Sequence, residues 1–169
     1  VLTSAWVQFD GVVRVHPELL EHQKLPPRLV GKRIFEDRFR EIRDFERYLT
    51  ANGVAICKFF LHVSQGEQKR RFLERLDEPD KNWKFSPSDA RERGYWKDYM
   101  RAYEDAIRAT ATDDAPWYVV PANNKWFTRV IVAAGIIDTL AGLDLHYPKV
   151  NKAKRRELAA VRRTLVRSG

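Results

Sequence analysis

The chain has 169 residues, 44% of them hydrophobic and 12% aromatic, long enough to bury a core and too apolar for a disordered segment. Its 31 lysines and arginines outnumber 23 acidic residues, and the formal charge of +8 favours anionic partners such as nucleotides, nucleic acid or phosphate polymers. The single cysteine excludes an internal disulfide and a multi-cysteine metal site, and no stretch approaches the ~18 apolar residues of a membrane span, so a cytoplasmic protein is expected.

"GVVRVH" (11–16) predicts a short strand, and "PELLEHQKLPPRLVGK" after it a proline-bearing loop with one helical turn. From Ile34 to Thr50, Phe35, Phe39, Ile42, Phe45 and Leu49 recur at steps of three and four, the pattern of an amphipathic helix ended by Asn52-Gly53. "VAICKFFLHV" (54–63) is β-branched, aromatic and nearly continuous in its apolar run. It predicts a strand buried on both faces, with Cys57 as a buried structural thiol.

Ser64 and Glu67 have capping-box spacing, which predicts a helix from there to about Leu76, stopped by Glu78-Pro79. Ser86-Pro87-Ser88-Asp89 predicts a second helix start, serine as cap and proline in the first turn. The helix after it carries Trp96, Tyr99, Tyr103 and Ile107 on one stripe. "PWYVVPA" (116–122) predicts another strand, "NNK" a turn, and Val130–Leu143 a helix apolar almost all round. Asn151–Ser168 is basic, a peripheral helix or a frayed tail. This order is an α/β pattern with parallel strands, although three strands are few for a doubly wound sheet. No G-x-x-x-x-G-K-[S/T] loop is present.

Arg40, Arg43 and Arg47 share a helix face, either as a row of phosphate contacts or as a solvated face paired with Glu36, Asp44 and Glu46. In "RRFLERLDEPDKNWKFSPSD" (70–89), Arg70, Arg71 and Arg75 precede a turn carrying Lys81 and Lys84, with Trp83 between them. Two helices joined by a basic turn between consecutive strands are either a structural hairpin or a lid. A lid would bring guanidinium groups to a transferring phosphoryl. His16, His22, His62 and His146 lack metal-ligand spacing, and structural or surface roles are expected for them. Trp117 and Tyr118 read as core rather than as a base-stacking platform. Asn123, Asn124 and Lys125 follow the C-terminal end of a strand, where open α/β sheets bind ligands.

"FEDRFREIRDFERYL", "KFFLHVSQGEQKRRFLERLDEPDKNWKFSPSD", "YWKDYMRAYEDAIRATATDDAPWYVVPANNKWFTR" and "LDLHYPKV" together resemble the C-terminal two-thirds of a family-2 polyphosphate kinase, from about Val12 onward. The resemblance implies an α/β, P-loop kinase-like parallel sheet flanked by helices, with a helical lid. It also implies Mg²⁺-dependent phosphoryl transfer between inorganic polyphosphate and nucleoside mono- or diphosphates, such as ADP and ATP, in homo-oligomers. Carried over by position, Arg71, Arg75 and Lys84 become lid residues that stabilise the phosphoryl group. Arg40, Arg43 and Lys81 become polyphosphate contacts, and Asn124 and Lys125 nucleotide contacts. A single domain is expected, family-like over about 12–150, with 151–169 as its basic terminal helix or tail. The family's glycine-rich Walker loop is absent, and "VLTSAWVQFDG" stands before the matching part. By the resemblance, the N-terminal part of the fold, with the Walker lysine and the Mg²⁺ carboxylates, is expected upstream of Val1, and no metal ligand in this chain. The alternative is a non-catalytic basic module that holds polyphosphate or RNA. Neither a membrane nor a specific nucleic acid is expected as a partner.

Overall fold

The computed structural model describes residues 11–83 and 85–167, the side chain of Lys81 excepted. They form two compact units, one ending at Thr139 and one beginning at Leu140.

The first unit opens with α1, helical at residues 11–15, and a short α2 (Leu19–His22). Next come a 3-10 turn at Pro27–Leu29, α3 (Ile34–Ala51) and β1 (Lys58–His62). A helical excursion follows: α4 (Gln65–Asp77), α5 (Pro79–Asn82), α6 (Pro87–Glu92), a 3-10 turn at Arg93–Tyr95, and α7 (Trp96–Thr110). β2 (Trp117–Pro121) returns the chain to the sheet, and α8 (Lys125–Gly142) leaves it. In the second unit, α9 (Lys152–Arg167) is an exposed helix, its apolar Leu158, Val161 and Leu165 49%, 50% and 67% accessible.

The strands are parallel, in register from Lys58 opposite Trp117 to His62 opposite Pro121. Parallel pairing needs a long crossover, and the excursion from α4 to α7 supplies it. The α/β expectation therefore holds, but among the described residues the sheet has two strands, where three were expected.

The missing strand is "GVVRVH", which is helical at 11–15. Its β-branched residues lower helix propensity only slightly, and tertiary contact outweighs that. Val13 is fully buried, and Arg14 pairs with Asp105 of α7 at 2.8 Å while lying 5.4 Å from the Phe35 ring of α3. Gly11 lets α1 approach Tyr103, whose ring would lie 3.4 Å from a side chain there.

β1 is also shorter than expected, and exposed at its end: Leu61 is 49% accessible. A strand extends only as far as its partner, and β2 has five residues. Cys57, just before β1, is half-buried with its sulfur 2.9 Å from the Thr139 hydroxyl.

Packing of α3 on α7 makes the core, with Phe39, Ile42 and Ala106 buried and Phe35, Ala109 and Trp117 packed around them. The α3 face is 35, 39, 42, 46, and Phe45 of the expected series Phe35, Phe39, Ile42, Phe45 and Leu49 is 43% exposed. Glu46 takes the buried place because Lys58 of β1 meets it at 2.6 Å, and both side chains are 1% accessible. Lys58 also donates to the Thr110 carbonyl at 2.8 Å, and its ammonium lies 5.3 Å from the Trp117 ring centre. Burial pushes the Lys58 amine down, and the Glu46 carboxylate opposes that shift. Trp117 thus packs on the core as expected, whereas Tyr118 is 37% exposed and stacks on Phe59 at 5.2 Å.

No helix among the described residues is long and apolar enough to cross a membrane.

Candidate active site

Because the strands are parallel, the loops leaving β1 and β2 open on the same sheet edge, where α/β sheets bind ligands. The two loops are tied together. Ala122 N–H donates to the His62 carbonyl at 2.8 Å, Ser64 N–H to Asn123 Oδ1 at 2.9 Å, and Asn123 Nδ2 to Ser64 Oγ at 3.1 Å. Ser64 caps α4 as expected, accepting from the Glu67 amide at 3.2 Å. The reciprocal half of that capping box is absent: Asn123 has taken the Ser64 amide, and two arginines have taken Glu67. Arg70 donates to Glu67 at 2.6 and 2.8 Å, and Arg71 at 2.7 Å. First Arg70 and then Arg71 hold the Glu67 carboxyl down at about 2, against partial burial. The full capping box is at α6, where the Ser86 and Asp89 side chains bond each other's first-turn backbone and Pro87 begins the helix.

Arg71 turns its Nη2 onto the carbonyls of Ala122 and Asn123, at 2.8 and 3.0 Å. It therefore fastens α4 to the β2–α8 loop. Arg93 does similar work at the far end of the excursion, donating to the Gln65 carbonyl at 3.2 Å and the Gln68 amide oxygen at 2.7 Å. Arg75, one turn beyond Arg71, is half-buried 6.0 Å from the Phe72 ring centre and has no carboxylate partner among the described residues. Lys84 lies outside the described residues, and so does the side chain of Lys81. Asn124 and Lys125 are exposed at the start of α8, and Asn124 lends its carbonyl to the Thr128 hydroxyl at 2.9 Å. The sheet edge thus gathers Arg71, Asn124 and Lys125.

Arg40 and Arg43 are not one row. Arg40 pairs with Asp37 at 2.8 Å and lines a groove of about 1150 Å³ with Gln23, Arg28, Lys32, Arg33 and Arg38. Arg43 is half-buried and donates to the Ala109 carbonyl of α7, bracing the α3–α7 contact. Arg47 pairs with Asp44 on the exposed side.

Sequence reasoning missed Asn123 as the partner of Ser64, the anchor at Arg93, and the Glu46–Lys58 pair. A signal existed only for the last: Lys58 is a charge inside an apolar run, and Glu46 continues the spacing of Phe35, Phe39 and Ile42. The described residues contain no group of three or more His, Cys, Asp or Glu that could hold a metal ion.

Residues 29–148 match the family described as Polyphosphate kinase 2 (PPK2). The chain is 47% identical over 157 residues to an "ADP-polyphosphate phosphotransferase" of Rhodopseudomonas palustris, covering 92% of this chain and 54% of that protein. It is 46% identical over 128 residues to an "AMP/ADP-polyphosphate phosphotransferase" of Meiothermus ruber, covering 76% of this chain and 48% of that protein. The crystal structure of Polyphosphate Kinase 2 from Arthrobacter aurescens TC1 superposes with a TM-score of 0.76 and 40% identity, over 91% of this chain and 51% of that one. The chain spans about half the length of these relatives.

Proposed function

The chain belongs to the polyphosphate kinase 2 family, and from that premise we propose that it is the lid-bearing C-terminal portion of a phosphotransferase acting between inorganic polyphosphate and nucleoside mono- or diphosphates. The observation that carries this reading is the basic helical hairpin α4–α6, inserted between two parallel strands and rooted at their C-terminal edge. Arg71 is spent on backbone carbonyls at 2.8 and 3.0 Å, so its part is to position the hairpin. Arg75 has no carboxylate partner among the described residues and is the guanidinium of α4 proposed to meet a phosphate. Lys81 and Lys84, further along the same excursion, extend that role.

In-line transfer spreads charge over the oxygens of the moving phosphoryl, and fixed cations stabilise that charge more than they stabilise the bound substrate. No covalent enzyme intermediate is required. Asn124 and Lys125, at the same edge, are the proposed nucleotide contacts. Arg40 and its cationic groove are the proposed seat for the polyphosphate chain, with Arg43 bracing the helix beneath it. Mg²⁺ dependence and homo-oligomer formation belong to the proposal too. None of these residue roles passes through the ion.

The test is steady-state ATP formation from ADP and polyphosphate by the full-length protein, comparing wild type with Arg75→Ala and Lys84→Ala. Loss of a cation that acts mainly in the transition state lowers kcat by ~100-fold with little change in nucleotide KM. Unchanged turnover, or a change in KM alone, overturns the lid assignment.

A further inference from the structure

The Glu92–Arg93 step joins the returning limb of the hairpin to the body of the first unit. Arg93 reaches back to the first turn of α4, and Glu92 reaches the other way, to His16 after α1. Both imidazole nitrogens of His16 face carboxylates: Nδ1 lies 3.1 Å from Glu18 Oε1 and Nε2 2.9 Å from Glu92 Oε2. Glu92 Oε2 also accepts the Tyr99 hydroxyl at 2.7 Å, and Tyr95 packs edge-on to the His16 ring at 5.0 Å.

A neutral imidazole has one N–H and one lone pair, so it can donate to only one of two carboxylates and must turn the lone pair on the other. An imidazolium donates to both. The geometry therefore matches the protonated ring. The groups around it agree in sign: Glu18 ahead of α2, Glu92 at the end of α6, Tyr95 of the 3-10 turn and Tyr99 of α7 are all neutral or anionic. Arg91 acts on Glu92, and Tyr95 and Tyr103 on Tyr99. The Glu92 hydrogen bond raises His16 above its usual range, burial opposes it, and Glu18 adds to the rise. The Tyr99 hydroxyl and then His16 hold the Glu92 carboxyl low.

We propose that His16 is a positioning residue for the basic hairpin: as imidazolium it clasps the returning limb through Glu92, and on losing its proton it releases that limb. Arg71, Ser64 and Asn123 hold the root of α4 in either state. Proton loss therefore frees one limb and leaves the other fixed, which changes how the hairpin cations are presented. The consequence for phosphoryl transfer rests on the lid reading above, whereas the clasp does not. The sign follows from linkage. The folded pKa is raised above the ordinary 6.5, so the contribution is fully present below about 6.5 and is lost as pH rises through the raised folded value.

The test is hydrogen exchange of the full-length protein from about pH 5.5 to about pH 8.5, corrected for intrinsic rates, beside an NMR titration of the histidine rings. His16 is expected to titrate above 6.5. Protection over residues 87–95 should fall about tenfold for each pH unit by which the closed state raises His16, while α3 stays protected. Glu92→Gln keeps the volume and the Tyr99 contact but removes the charge, so the pH dependence should flatten. His16→Asn should sit at the high-pH level throughout. An ordinary His16 titration, or an undiminished pH response in Glu92→Gln, overturns the clasp. If His16→Asn loses α3 protection as well, the wild-type titration and Glu92→Gln decide the matter. Turnover is not among the readouts, so a failed lid assignment leaves the result standing.

Discussion

Removing one member of the Glu46–Lys58 pair should cost far more than removing both. Each side chain is 1% accessible, so no water can take the place of the lost partner. In Glu46→Ala, Lys58 keeps only the Thr110 carbonyl, and breaking such a buried pair costs about 3–5 kcal/mol. Lys58→Met belongs at the upper end of that range, because Glu46 Oε1 already lacks a hydrogen-bond partner and Oε2 would join it. For a chain of this length that loss lowers the melting temperature by roughly 6–20 °C. Glu46→Leu combined with Lys58→Met leaves neither charge behind and orphans only the Thr110 carbonyl, a loss of about 1–3 kcal/mol. The double variant should therefore be more stable than either single one, with a large coupling in the double-mutant cycle. Urea titrations of the four proteins followed by circular dichroism measure this. pH adds an independent sign. Burial holds the folded Lys58 pKa below 10.5, so stability rises with pH between the folded value and 10.5, and Glu46→Gln widens that window by removing the opposing carboxylate. Single variants within about 1 kcal/mol of wild type, or a double variant that loses the sum of the singles, would refute the reasoning.

Long-chain polyphosphate should bind the 169-residue chain more weakly as salt rises, because each phosphate contact displaces condensed counterions; calorimetric titration at low and physiological ionic strength checks it, and a salt-indifferent constant refutes it. The isolated chain should self-associate through its exposed apolar surfaces, with Val130 and Ile137 of α8 at 56% and 65% accessible and Val119 of β2 at 59%. It should also form little or no ATP from ADP and polyphosphate with Mg²⁺. Light scattering and that assay decide both points, and a monodisperse monomer with robust turnover goes against them.

What the sequence could determine alone was whatever depends on a few neighbouring residues. The period of three and four over Phe35, Phe39 and Ile42 placed α3, and Ser86-Pro87 placed the start of α6 through a cap that needs only its own first turn. The basic hairpin was legible in the same way, as a run of arginines and lysines around Glu78-Pro79. The tertiary structure decided everything that depends on which distant group comes near. Val12–Val15 carries β-branched residues yet is helical, because α1 packs against α7 and α3 and no strand lies beside it among the described residues. Glu46 and Lys58, twelve residues apart, make a single buried pair only because the fold brings this point of α3 to the first residue of β1. Arg71 and Arg75 look interchangeable in "RRFLER", but one is occupied by two carbonyls 51 and 52 residues away and the other is not. A guanidinium's role is set by the acceptors within about 3 Å of it, and those acceptors are brought there by the fold.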